Sequence, residues 1–281
     1  MRLCPVNDQI CGHRDSKGWA RYASNVNVQA YLDRIGYRGS LEPTAETLRG
    51  LHRAHMYAVP FENLDIYGGR RHLTLDEGAF FRKVVEERRG GFCYELNGLF
   101  GALLRELGFH VDLLSGRVVS AKKVGPEFDH LLLLVHLEER WLADVGFGDS
   151  SRTPLRLDDP KPQGEPAGAF KLTHEGDEWA MWGWGAAEKW SEVYRFTLKP
   201  HHLQEFATMC EYHQTSPDSQ FTRNNVCTLP TSEGRKTISG NRFTVVANGE
   251  RTMQRLADET AYYTTLAEHF GVELRGVKAN P

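Results

Sequence analysis

A cysteine that directly follows a glycine pair and opens a leucine-rich run is the first place in this sequence where chemistry can be read. In Arg89-Gly90-Gly91-Phe92-Cys93-Tyr94-Glu95-Leu96, the glycines permit a sharp turn and the close approach of a substrate carbonyl. A helix starting at the cysteine would bring free backbone N–H groups to the thiol, which favours a thiolate and offers the N–H of Cys93 to an oxyanion. Such a nucleophile needs a base within hydrogen-bond reach and a group that orients the base. His130 stands at the entrance to the apolar stretch Leu131 to Val135. Asp144 interrupts the run Trp141-Leu142-Ala143 and Val145, where a carboxylate must find a partner or change its pKa. The two stand 14 positions apart (144 minus 130), which fits two strands joined near Glu138-Glu139. A two-residue connection would put them on opposite faces, and one more residue would put them on the same face. On residue types alone each has a plainer alternative: a buried inert thiol, a strand-end imidazole, a ladder carboxylate. A further acid, Glu62 in Pro60-Phe61-Glu62-Asn63-Leu64-Asp65, lies among apolar neighbours and calls for a cation, with Arg89 as the expected partner. That pair would anchor the loop ahead of Cys93.

Elements must hold these residues in place. Val28, Tyr31, Leu32 and Ile35 recur at helical spacing before Gly36, and Leu48, Leu51, His52, His55 and Met56 share a face between Thr44 and Val59-Pro60. Asp76 to Arg88 forms a third amphipathic stretch. Leu96, Leu99, Phe100, Leu103, Leu104 and Leu107 then fall on one side of a helix that Gly108 closes. From there the period becomes that of strands, over His110 to Val119, Asp129 to Leu137 and Trp141 to Phe147. A loop is expected across 158–168, followed by short strands whose four tryptophans, Trp179, Trp182, Trp184 and Trp190, pack in the sheet core or its edge. The tail offers a strand from Arg242 to Val246, a turn at Asn248-Gly249 and a helix around Leu256 to Phe270. Helices, then strands, then a mixed tail make the class α+β.

Composition excludes several function classes. The 281 residues are 40% hydrophobic and 25% charged, which sets aside disorder and fibres, and the length suits two or three packed units of up to ~150 residues. With 34 basic against 37 acidic residues no basic field draws the chain to nucleic acid. The longest apolar stretch falls far short of the ~20 residues that cross a bilayer, and residues 1–25 do not resemble a secretory signal, so no membrane partner and a cytoplasmic location are expected. Cys4, Cys11, Cys93, Cys210 and Cys227 are odd in number and expected to be reduced, and their spacing implies no metal.

Together the motifs resemble the arylamine N-acetyltransferase family, bacterial type. Arg89 to Leu99 looks like its nucleophile segment, Asp129-His130-Leu131-Leu132-Leu133 its histidine strand and Asp144-Val145-Gly146-Phe147-Gly148 its aspartate segment. Val59 to Asp65 and Gln214-Thr215-Ser216-Pro217 with Phe221 are similar to further motifs, so the likeness covers about residues 27–275. Asp129 stands where members often carry a small hydroxyl residue. The resemblance implies a Cys93, His130, Asp144 triad on a cysteine-protease-like core. It also implies a helical bundle over 27–108 after an extension at 1–26, a β-barrel-like unit over 109–216 and an α/β lid over 217–281. Phe61, Tyr94, Phe147 and Phe221 would border a pocket for a flat arylamine or hydrazine, and Gly148 would lie near the pantetheine arm of acetyl-CoA. The implied reaction is acetyl transfer through an acetyl-cysteine, with the N–H groups of Cys93 and Val145 on the oxyanion. The same trio of side chains also serves amide hydrolases and amide synthases, and an aromatic cleft with an inert cysteine would be a binding module.

Overall fold

The computed structural model describes residues 26–120, 123–165, 168–184 and 188–274; of the extension expected over 1–26, residues 1–25 lie outside them and Val26 is buried in the core. The first helices form where local signals ask for them. Helix α1 (Val28–Ile35) is capped by the Asn27 side chain, which accepts from the N–H of Ala30, and ends at Gly36 with φ 68°. Helix α2 (Ala45–Ala58) is capped by Thr44 and stops before Pro60. A two-residue strand β1 (Phe61–Glu62) and a single turn α3 (Leu64–Tyr67) follow. The expected third helix is present as α4 (Glu77–Phe81), but Arg82–Glu86 continue it in the wider π geometry. Helix α5 (Cys93–Glu106) differs more: every residue from Cys93 to Leu104 is buried, polar ones included, so it is the central helix and not an amphipathic surface one.

One face of α5 lies on a large antiparallel sheet. Its strands are β2 (His110–Ser120), β3 (Lys123–Val124), β4 (His130–His136), β5 (Arg140–Ala143), β6 (Leu155–Arg156), β7 (Gln163–Glu165), β8 (Gly168–Glu175), β9 (Glu178–Trp184) and β10 (Trp190–Phe196). They run in the order β6-β5-β4-β2-β10-β9-β8-β7, with β3 on β2. Leu113, Leu131, Leu133 and Val135 share the helix-side core, whereas Leu114, Leu132 and Leu134 face inward onto Leu142, Leu172, Met181, Tyr194 and Phe196. This alternation gives the sheet two buried faces. Its two outer strands meet at Gln163, whose side-chain amide donates to the carbonyl of Arg156 and accepts from its N–H at 2.9 and 2.8 Å. The sheet is thereby nearly closed into a barrel.

Three expectations change here. The strand expected to reach Phe147 ends at Ala143. The loop expected over 158–168 is shortened by β7 and by the start of β8. The tryptophans do not share one environment: Trp179 is buried, while Trp184 is 43% exposed.

The remaining chain makes a turn of 3₁₀ helix at Leu203–Phe206, α6 (Ala207–Thr215), α7 (Gln220–Arg223), β11 (Val226–Pro230), β12 (Gly234–Ser239), β13 (Arg242–Ala247), β14 (Glu250–Arg255) and α8 (Glu259–Phe270). The hairpin between β13 and β14 turns at Asn248-Gly249, both with positive φ, as a two-residue type I′ turn requires. Strand β1 joins this second sheet by pairing with β11, Phe61 opposite Thr228. Among the described residues no helix is long and apolar enough to cross a membrane.

Candidate active site

His130 and Asp144 meet. Pairing of His136 with Arg140 leaves three residues, 137–139, in the connection between β4 and β5, which is the case that puts both side chains on one face. His130 Nε2 lies 2.9 Å from Asp144 Oδ2. Asp144 sits just past the end of β5 and is held at both carboxylate oxygens and at its N–H. Its Oδ1 accepts from Asn97 Nδ2 and from the N–H of Gly146, both at 2.9 Å, and its own N–H donates to His52 Nε2 at 3.3 Å. His52 in turn hydrogen-bonds through Nδ1 to the carbonyl of Arg152 at 3.0 Å, which fixes the ring. Burial would raise the Asp144 carboxyl, but the charge of His130 and the bonds from His130, Asn97 and Gly146 outweigh it and hold the group below its usual range.

Cys93 is the first residue of α5 and 3% exposed. One turn later on the same face, Asn97 stitches three segments together: it donates to the carbonyl of Leu131 at 2.7 Å and to Asp144, and accepts from the N–H of Val145 at 2.9 Å. The backbone N–H of Leu131 faces the sulfur of Cys93. Gly146 closes over the same spot, since a Cβ there would stand 2.9 Å from the Cys93 Cα. Helix start, histidine strand and aspartate loop are thus assembled around one thiol. Two expectations are altered. Burial pushes the Cys93 thiol up; the Leu131 N–H opposes this, and Asp129, Cys210 and Asp144 add to it, so the helix terminus alone does not make an easily ionised thiol. The N–H of Val145 is engaged by Asn97 and is not free for an oxyanion.

The aromatic residues fall into two groups. Phe61, Phe92 and Phe221 pack together, with Phe92 against Tyr94 at 5.0 Å, whereas Phe147 packs on His130 at 5.2 Å and on Tyr194. Tyr94 is fully buried and donates its hydroxyl to the carbonyl of Phe128. Gly148 has φ 89° and lies against Phe61, and its carbonyl accepts from Arg235. The carboxylate of Asp129 pairs with His213 Nε2 at 3.2 Å.

The N-acetyltransferase family profile matches residues 44–279. The arylamine N-acetyltransferase of Escherichia coli K12 is 37% identical over 253 residues, 88% of this chain and 89% of that protein. The chain belongs to the arylamine N-acetyltransferase family. It is an acyltransferase. Among solved structures, the M. tuberculosis arylamine N-acetyltransferase superposes with a TM-score of 0.83 at 33% identity, covering 89% of this chain and 97% of that one. The Mycobacterium marinum arylamine N-acetyltransferase in complex with CoA gives 0.82 at 31% identity, over 88% and 93%.

In this N-acetyltransferase the loop before Cys93 rests on buried charge. The expected pair is present, with Arg89 bonding Glu62 at 2.8 and 3.1 Å, but it is part of a five-member cluster. Lys83 reaches Glu95 at 3.0 Å and Asp65 at 3.1 Å, and Arg89 also contacts Asp65. Glu95 then accepts from the N–H of Phe92, so the cluster holds the residue next to the thiol. Gly90 is required by close approach: a Cβ would lie 2.1 Å from the carbonyl oxygen of Pro60. Sequence reasoning assigned no role to Asn97, His52 or Lys83. For Asn97 a signal existed: it is the one polar side chain in the stretch Leu96 to Leu104.

Proposed function

We propose that this enzyme acetylates arylamines and arylhydrazines at the expense of acetyl-CoA, by a ping-pong route through acetyl-Cys93. What supports the reading is that Asn97, one turn after Cys93, bonds Leu131 beside His130 and the carboxylate of Asp144, which holds His130, while Gly146 closes on the Cys93 backbone. Family membership, a CoA complex of a related enzyme and that enzyme's fold support acetyl-CoA as donor.

A thiolate alone would be costly in this buried site. Handing the thiol proton to His130 keeps the charge inside the site, where Asp144 balances the imidazolium. Because His130 uses Nε2 for Asp144, Nδ1 is the nitrogen that takes this proton. The sulfur then attacks the thioester carbonyl carbon, and the C–S bond to CoA breaks as CoA leaves with the proton from His130. The N–H of Cys93, which has no partner within the helix at its first position, donates to the oxyanion. In the second half an amine nitrogen attacks the acetyl carbon, His130 takes the amine proton, and the Cys93–acetyl bond breaks to release the amide. Phe61, Tyr94, Phe147 and Phe221 are the proposed aromatic walls, and Gly148 is the proposed neighbour of the pantetheine arm.

Intact mass after mixing with acetyl-CoA and no amine tests this. One acetyl group mapped to Cys93 and removed by an arylamine is expected, with none on Cys93→Ala. Acetyl transfer at the parent rate by Cys93→Ala overturns the proposal.

A further inference from the structure

A second cluster of ligating side chains lies at the opposite end of the barrel. His110 and Asp112 are two apart on β2, so they share a face, and His136 on β4 is the direct cross-strand partner of His110. His136 Nε2 stands 2.7 Å from Asp112 Oδ2, His110 Nε2 stands 3.9 Å from Asp112 Oδ1, and one ligand atom from each residue lies within 4.8 Å of the other two. The two imidazoles stack at 4.3 Å. All three residues are partly exposed, which leaves an entry path from solvent. His130 and His136 begin and end the same strand, so six steps of ~3.3 Å put this cluster ~20 Å from the candidate active site.

We propose that His110, Asp112 and His136 bind a divalent transition-metal ion of the zinc class, independently of acetyl transfer. Two imidazoles and a carboxylate are the donor set of zinc and its neighbours, and calcium or magnesium would ask for oxygens throughout. Bonds of ~2.0–2.1 Å to a tetrahedral ion put ligand atoms ~3.3 Å apart. His136 stands 2.7 Å from one oxygen of Asp112 and His110 3.9 Å from the other, and one ligand atom of each residue lies within 4.8 Å of the other two, so side-chain rotations that draw the three ligand atoms together complete the site while the paired strands keep the three Cα positions fixed. Water would take the fourth position from the exposed side. The nearby cations do not block it: Arg140, across from His136, is held by Asp158 at 2.9 Å, and Arg105 is bonded to the carbonyl of Val111, although it also feels the charge of Asp112.

The test uses untagged full-length protein stripped with a chelator and titrated with Zn2+ by calorimetry and with Co2+ in the visible range. One ion per chain is expected, with Co2+ bands of nitrogen and oxygen ligation and no sulfur charge-transfer band. His110→Gln, Asp112→Asn and His136→Gln should each weaken binding by more than about 100-fold, beyond the ~10–100-fold that losing an outer-shell partner costs. Zn2+ should raise the melting temperature of the parent and leave that of His136→Gln unmoved, and all three variants should keep the parent acetyl-transfer rate before metal is added. Saturation unchanged in a His110→Gln, His136→Gln double variant, absence of any binding, or a Co2+ thiolate band that disappears with Cys93→Ala would each overturn the site. Since acetyl transfer is read separately and without metal, failure here is distinguishable from failure of the proposed reaction.

Discussion

Asn97 carries more of the site's geometry than its neutral chemistry suggests. It satisfies the carbonyl of Leu131, the N–H of Val145 and one oxygen of Asp144, and each buried polar group left bare costs about 1–3 kcal/mol. Asn97→Ala should therefore lower the rate of the proposed acetyl-enzyme formation by at least about tenfold, a 1.4 kcal/mol effect, and lower the melting temperature as well. Asn97→Leu, which fills the space, should recover part of the stability and none of the rate; recovery of both would mean that Asn97 only packs. Asp144 allows a second check with a defined sign. Its folded pKa is held below the ordinary 3.8, so its contribution is present above that value and is lost as pH falls through the lower, folded value. The melting temperature of the parent minus that of Asp144→Asn should be positive near neutrality and shrink only below about pH 4. A difference that is flat down to pH 2 would show that the couple with His130 does not stabilise the fold.

Which elements could be read in advance follows from the range of the forces that make them. Helices α1, α2 and α8 are set by caps and stops within a few residues of their ends, Asn27 with Gly36, Thr44 with Pro60, Asp258 with Gly271, and these are visible in any window of the sequence. The end of β5 at Ala143 was not visible, because what removes Asp144 from the ladder is Asn97, 47 positions away, and His52, 92 positions away. Lys83 lies in a helix whose local pattern gives no hint that its amine is buried among Glu62, Asp65 and Glu95. At this scale the loop before Cys93 is the most constrained piece. Lys83→Met removes the cation and leaves three carboxylates facing one guanidinium, so it should destabilise by about 3–5 kcal/mol. Denaturant titration checks this, and Lys83→Met combined with Glu95→Gln should be less damaging than the single change, because a surplus charge goes with the amine.

At the scale of the molecule, the short strand β1 and the side chain of Asn63 tie the helical part of the chain to the second sheet. Phe61 pairs with Thr228, and Asn63 donates to the carbonyls of Phe221 and Asn224 while accepting from the N–H of Val226. One amide therefore fixes α7 and the start of β11, and with them the ring of Phe221 that packs on Phe61 and Phe92. These contacts are made by residues other than those of the proposed triad, Cys93, His130 and Asp144, and come nearest to it at Phe92. The two half-reactions proposed above should then respond differently to loss of this tie. Asn63→Ala should leave acetylation of Cys93 by acetyl-CoA close to the parent rate and weaken the second step, seen as a several-fold rise in KM for the arylamine with a smaller change in kcat. Rapid-mix mass spectrometry reads the first step and steady-state kinetics the second. Equal slowing of both steps would mean that the seat of Phe221 and the thiol site move as one body, and that the aromatic group around Phe61 supports the nucleophile as much as the acceptor.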